Sequence, residues 1–107
     1  TRRSSDLLAI LCKGRGTPLV LIDFLQNSLS AIEELKPGLG EGMVEINRKM
    51  NGIFKSISET YSNTSHIEFR QEDFPETLFV DTCHLNEEGE SRKAQMIYRE
   101  LKIQKLI

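Results

Sequence analysis

Residues 18–24, "PLVLIDF", constrain this chain more than any other stretch. The run is apolar except for Asp23 and lies between turn residues, with Gly14 and Gly16 before it and a polar segment after it. Its length and its Val, Ile and Phe content predict a strand buried on both faces, the mark of a parallel sheet under helices. It is far too short to cross a bilayer.

The flanking segments fit that frame. Ser4 or Ser5 is expected to cap a first helix, with Asp6 in its first turn, Leu7, Leu8 and Leu11 on one face, and Gly14 and Gly16 as its stop. Residues 25–42 are polar and broken by Pro37, Gly38 and Gly40, with room for one short helical turn over "LSAIEEL", where Leu29, Ile32 and Leu35 share a face. From Met43 to Tyr61 the signal is stronger: Ile46, Met50, Ile53, Ile57 and Tyr61 make an apolar stripe on a long helix. "SHIEFR" (65–70) reads as a second strand, parallel to the first over 66–70. A loop with Asp73, Phe74 and Pro75 follows, and "LFVD" is expected to be a strand end. Asn86 can cap a last helix whose first turn holds Glu87, Glu88 and Glu90, whose end holds Arg99, Lys102 and Lys105, and whose apolar face is Ala94, Ile97, Tyr98 and Leu101. Helices alternating with strands in this order belong to an α/β layered domain.

Composition narrows the function classes. At 107 residues, with 38% hydrophobic and 28% charged residues, the chain is one domain at most and is neither disordered nor membrane-embedded. A net charge of −2 and a pI near 5.7 argue against electrostatic binding to nucleic acid or anionic lipid. Arg2 and Arg3 form only a short basic patch, and no basic stretch leads into an apolar core of the kind a secretory signal needs. Cys12 and Cys83 are the only cysteines; two do not make a disulfide framework, and without Cys-x-x-Cys spacing they do not suggest a structural zinc site. Free thiols are the expectation, and the compartment stays open.

The chemistry-bearing stretch is "FVDTCHLNEEGESRKAQ" (79–95). Histidine titrates near neutrality, so His84 suits a base that takes a proton from a hydroxyl and returns it to a leaving group. An acid beside it, here Asp81, can fix its tautomer and stabilise the imidazolium. Both would lie in the loop after a strand, where open α/β sheets bind ligands. The competing reading is a polar loop that merely caps a helix. A zinc reading built on Asp81, Cys83 and His84 with Cys12 or His66 is weaker, because close ligands on one loop have little geometric freedom.

The wider pattern resembles the C-terminal signature of the SGNH (GDSL) hydrolases, a family of esterases, lipases and acyltransferases. Their last block reads Asp-x-x-His-Leu-Asn-x-x-Gly before an amphipathic helix with an early Ala, and Asp81, His84, Leu85, Asn86, Gly89 and Ala94 match it. The upstream order of elements is similar as well. The resemblance implies an α/β fold, the C-terminal half of a flavodoxin-like three-layer α/β/α sandwich with a parallel sheet. It implies His84 as general base and Asp81 as its orienting acid, an acyl ester as substrate, and no metal or organic cofactor.

The family's remaining blocks are missing: there is no Gly-Asp-Ser and no Gly-x-Asn-Asp in the sequence. Ser28, in "FLQNSLS", lacks the glycines of a nucleophile elbow, and Ser4 and Ser5 suit helix caps. The chain is thus expected to be residues 1–107 of a partial SGNH domain. Its partner would be the missing N-terminal half, or another chain, covering the edge of strand 18–24, with no nucleic acid and no membrane span. The alternative is a non-catalytic α/β binding or interaction module, a degenerate family member.

Overall fold

In the computed structural model, which describes residues 2–107, the apolar run becomes strand β1 (Leu19–Ile22) and a second strand, β2, covers Thr64–Ile67. They pair in parallel, Leu19 opposite Thr64 and Ile22 opposite Ile67. The described residues also form four α-helices, α1 (Arg2–Gly14), α2 (Leu29–Leu35), α3 (Gly40–Thr60) and α4 (Glu87–Ile103), and two short 3₁₀ turns. The protein is therefore mixed α/β with a two-stranded parallel sheet. No helix among the described residues is long and apolar enough to cross a membrane. The chain divides into two compact units, one made of the segment ending at Phe24 plus Arg48–Glu68, the other of Leu25–Asn47 plus Phe69–Ile107.

The first unit holds the sheet. Gly16, at φ +67°, supplies the left-handed residue that turns the chain out of α1, and the Thr17 amide bonds back to the Cys12 carbonyl. Ala9 of α1, Leu21 of β1 and Ile57 of α3 form the buried cluster, with Leu19, Ile53, Phe54 and Tyr61 packed against it. The expected stripe on α3 is thus realised at Ile53, Ile57 and Tyr61, whereas Ile46 is exposed. Asn51 clamps the end of β1, accepting from the Phe24 amide at 2.8 Å and donating to the Phe24 carbonyl at 3.1 Å.

Several expectations for this unit need correction. Ser4 and Ser5 lie inside α1 rather than capping it; the helix already runs at Arg2, whose guanidinium pairs with Asp6 one turn on. Leu7, Leu8 and Leu11 are exposed, and Ala9 is the residue turned into the core. β1 is not buried on both faces, since only Leu21 of its four residues is buried. The cause is common to both: a two-stranded sheet offers too little surface to cover an entire apolar strand and helix face. β2 is also shorter than 65–70, because β1 presents four residues to pair with and the ladder ends where the Asp23 amide bonds to the Ile67 carbonyl.

In the second unit Phe74, Leu78 and Phe79 are buried, with Leu25, Phe69, Leu85 and Met96 against them. Phe69 meets Phe74 edge-on, ring centroids 5.4 Å apart. The segment expected to be a strand end is none: Glu76–Leu78 forms a 3₁₀ turn, and Phe79 makes a single antiparallel bridge to Leu85. Among the described residues no neighbouring strand pairs with it, and the backbone satisfies itself locally.

α2 buries Ala31 and Ile32 but leaves Leu29 and Leu35 exposed. Glu33 reaches forward to accept from the Gly38 and Gly40 amides at 2.9 and 2.7 Å, tying α2 to the start of α3. On α4, Ala94 and Tyr98 are exposed, against expectation. Ile97 and Leu101 are half-buried, as expected, and the packed side also takes in Gly89, Lys93, Met96 and Glu100, with Gly89 approaching the backbone of Leu78.

Candidate active site

The motif is a short loop closed on itself. The Val80 amide donates to the His84 carbonyl at 2.8 Å, and the Asn86 amide donates to the Leu78 carbonyl at 2.8 Å. Within that frame Asp81 folds back: its Oδ1 accepts from the amides of Cys83 at 3.0 Å and His84 at 2.7 Å. Its other oxygen, Oδ2, lies 2.8 Å from His84 Nδ1. The expected pairing of Asp81 with His84 is present.

These contacts decide the tautomer. The Cys83 and His84 amides, and after them the imidazole, hold the Asp81 carboxyl below the usual carboxylate range. An ionised carboxylate only accepts, so Nδ1 must carry the proton that binds it. Nε2 of the neutral ring then keeps its lone pair. The His84 side chain is 72% exposed.

The residues behind the loop explain the rest of the block. Asn86 caps α4, its Oδ1 accepting from the Gly89 amide at 2.9 Å, and its Nδ2 donates to the Thr77 carbonyl at 2.7 Å. A Cβ at position 89 would lie 2.6 Å from the Leu78 carbonyl oxygen, so only glycine lets the helix start this close to the loop. Leu85 packs on the Phe74–Leu78–Phe79 cluster and roots the loop in the core.

Sequence reasoning missed one residue, Asn27. It is buried, its Nδ2 donates to the Asp81 carbonyl at 3.0 Å, and its backbone amide donates to the Thr82 carbonyl at 2.8 Å. Its Oδ1 accepts from the Ser28 amide. No local pattern ties residue 27 to residue 81; the only hint was an asparagine directly before a helix-capping serine. Next to this brace a cleft of about 310 Å³ is lined by Asn27, Ala31, Leu35, Phe79 and Val80 among others, at the small end of ligand sites.

The remaining candidates are accounted for. Ser28 is the N-cap of α2, its Oγ accepting from the Ala31 amide. His66 is engaged in the first unit, its Nε2 2.5 Å from Asp23 Oδ1 with both side chains almost wholly buried. Cys12 and Cys83 are free thiols. The three near members of the weighed zinc set do converge: one donor atom each from Asp81, Cys83 and His84 lie within 4.8 Å of one another.

Comparison with protein-family models, with curated proteins and with solved structures finds nothing that matches the chain.

Proposed function

We propose that this chain supplies the base and its orienting acid to a serine ester hydrolase of the SGNH type, as part of a larger domain. The observation that carries this reading is the 2.8 Å contact of Asp81 Oδ2 with His84 Nδ1, which leaves the other ring nitrogen, Nε2, to serve as the acceptor. In the proposed reaction a serine outside residues 1–107 gives its hydroxyl proton to His84 Nε2 as its oxygen bonds the acyl carbon. The imidazolium, stabilised by Asp81, then returns that proton to the departing alkoxide. Water repeats the sequence to release the acid. The oxyanion donors would likewise come from outside this chain.

The three-layer flavodoxin-like sandwich belongs to the same proposal. Two features support it: a parallel sheet of two strands, and an apolar α1 face, Leu7, Leu8, Ile10 and Leu11, left exposed. A further half of the domain, or another chain, would extend the sheet and cover that face. The neighbouring cleft offers Ala31, Leu35, Phe79 and Val80 to a small acyl group, alongside the carboxylates of Glu34 and Glu76.

One observation favours the alternative, a non-catalytic α/β module: Ser28, the serine that follows β1, is committed to capping α2. Turnover of p-nitrophenyl acetate separates the two. The esterase reading expects none from residues 1–107 alone and serine-dependent turnover from the full-length protein. A full-length protein that hydrolyses no ester, activated or natural, leaves the module reading in place.

A further inference from the structure

We propose that Asp81, Cys83 and His84 bind a thiophilic divalent cation of the zinc type, and that the bound cation switches His84 off as a base. The second half of this statement rests on the esterase reading; the first does not. The three side chains offer one oxygen, one sulfur and one nitrogen, the donor set zinc prefers, with all donor atoms within 4.8 Å of one another.

The spacing is close to what a tetrahedral ion needs. Zn–N and Zn–S bonds of ordinary length put the two donors roughly 3.5 Å apart. Cys83 Sγ and His84 Nδ1 are 3.6 Å apart. The Nδ1–Oδ2 contact of 2.8 Å is a hydrogen bond and would open by roughly half an ångström to become a ligand–ligand edge. The frame can allow that, because Asp81 remains anchored through Oδ1 to two backbone amides while Oδ2 swings. Cys83 and His84 are exposed, so the ion has an entry path, and three protein ligands leave a fourth position for water.

The proton count gives the consequence. Binding through Nδ1 requires the proton there to leave, and in a neutral ring it reappears on Nε2 by exchange with solvent. The Cys83 thiol releases its own proton to solvent, so one proton is released per ion bound. Nε2, the acceptor in the proposed reaction, thereby becomes an N–H donor. An ion at this loop inhibits by reversing the tautomer that Asp81 imposes.

The test is a Co²⁺ titration of the purified chain, read by thiolate-to-cobalt absorption, followed by Zn²⁺ competition. The expected result is one ion per chain. Absorption is lost in Cys83→Ser, affinity falls at least tenfold in Asp81→Asn and His84→Ala, and Cys12→Ser changes nothing, with circular dichroism confirming that each variant is folded. Nitrogen-15 shifts of the His84 ring should report the proton moving to Nε2 when Zn²⁺ binds. Absence of the absorption up to millimolar Co²⁺, or binding that survives Cys83→Ser or disappears in Cys12→Ser, overturns the site. In the full-length protein Zn²⁺ should suppress turnover reversibly, with chelator restoring it, and a Cys83→Ser variant should keep far more of its own uninhibited rate. Binding without inhibition overturns the switch alone. A wild-type protein with no turnover overturns the esterase reading and the switch with it, and leaves the site standing.

Discussion

Asp81 uses its two carboxylate oxygens for different tasks: Oδ1 is held by the amides of Cys83 and His84, and Oδ2 faces His84 Nδ1 at 2.8 Å. The acid is thus fixed by the backbone of the loop it belongs to, and the histidine is fixed by the acid. The loop organises the pair by its own backbone.

The first prediction concerns the titration of Asp81. Its carboxyl is held down first by the Cys83 and His84 amides and only then by the imidazole. Carbon-13 detected titration should therefore place its midpoint below the ordinary aspartate value of about 3.9. His84→Ala should raise that midpoint only part of the way back, because the amides remain. For stability the sign follows from a folded pKa lower than the unfolded one: the contribution is present above the ordinary value and is lost as pH falls through the lowered one. A midpoint at or above the ordinary value would contradict the loop geometry.

The second concerns Asn27, which braces the loop from outside it. Asn27→Ala takes the side-chain donor away from the half-buried Asp81 carbonyl, a loss on the order of 1 kcal/mol. Urea denaturation should show a destabilisation of that order. In an active full-length protein kcat should fall more than KM changes, since the brace acts through the position of Asp81. A variant with wild-type stability and wild-type kcat would remove Asn27 from the site.

Gly89 gives the third. A methyl group there meets the Leu78 carbonyl oxygen at 2.6 Å, so Gly89→Ala should destabilise by roughly 1–3 kcal/mol. Gly52, inside α3 with nothing within 4 Å of its added Cβ, is the control. Gly52→Ala should stabilise by roughly 0.5–1 kcal/mol through helix propensity. Equal effects from the two substitutions in urea denaturation would contradict the close approach of α4 to the loop.

Most of what the sequence made legible was local. The exception is the parallel pairing of β1 with β2, which followed from one largely apolar run and the helical length between the strands. The Asn86 cap and the Asp81–His84 contact follow from spacings of three residues, short enough for the chain itself to determine. What was not legible depended on partners far along the chain. Leu7, Leu8 and Leu11 look like a core face, but whether such a face is buried depends on what covers it, and here Ala9 is the residue that packs. Residues 78–81 have strand-like composition, yet a strand needs a neighbour, and Phe79 finds only Leu85. Asn27 reaches Asp81 across fifty-four positions, a contact that no periodicity encodes.

The measurement that bears most directly on His84 as a general base is p-nitrophenyl acetate turnover by the full-length protein, wild type against His84→Ala. Removing the acceptor of the serine proton should lower kcat by about 10²–10⁴-fold, with Asp81→Asn costing less, because the loop backbone still helps to orient the ring. Residues 1–107 alone should give no acyl-enzyme burst. Unchanged turnover in the His84→Ala protein would contradict the account and reduce the Asp81–His84 loop to a helix cap.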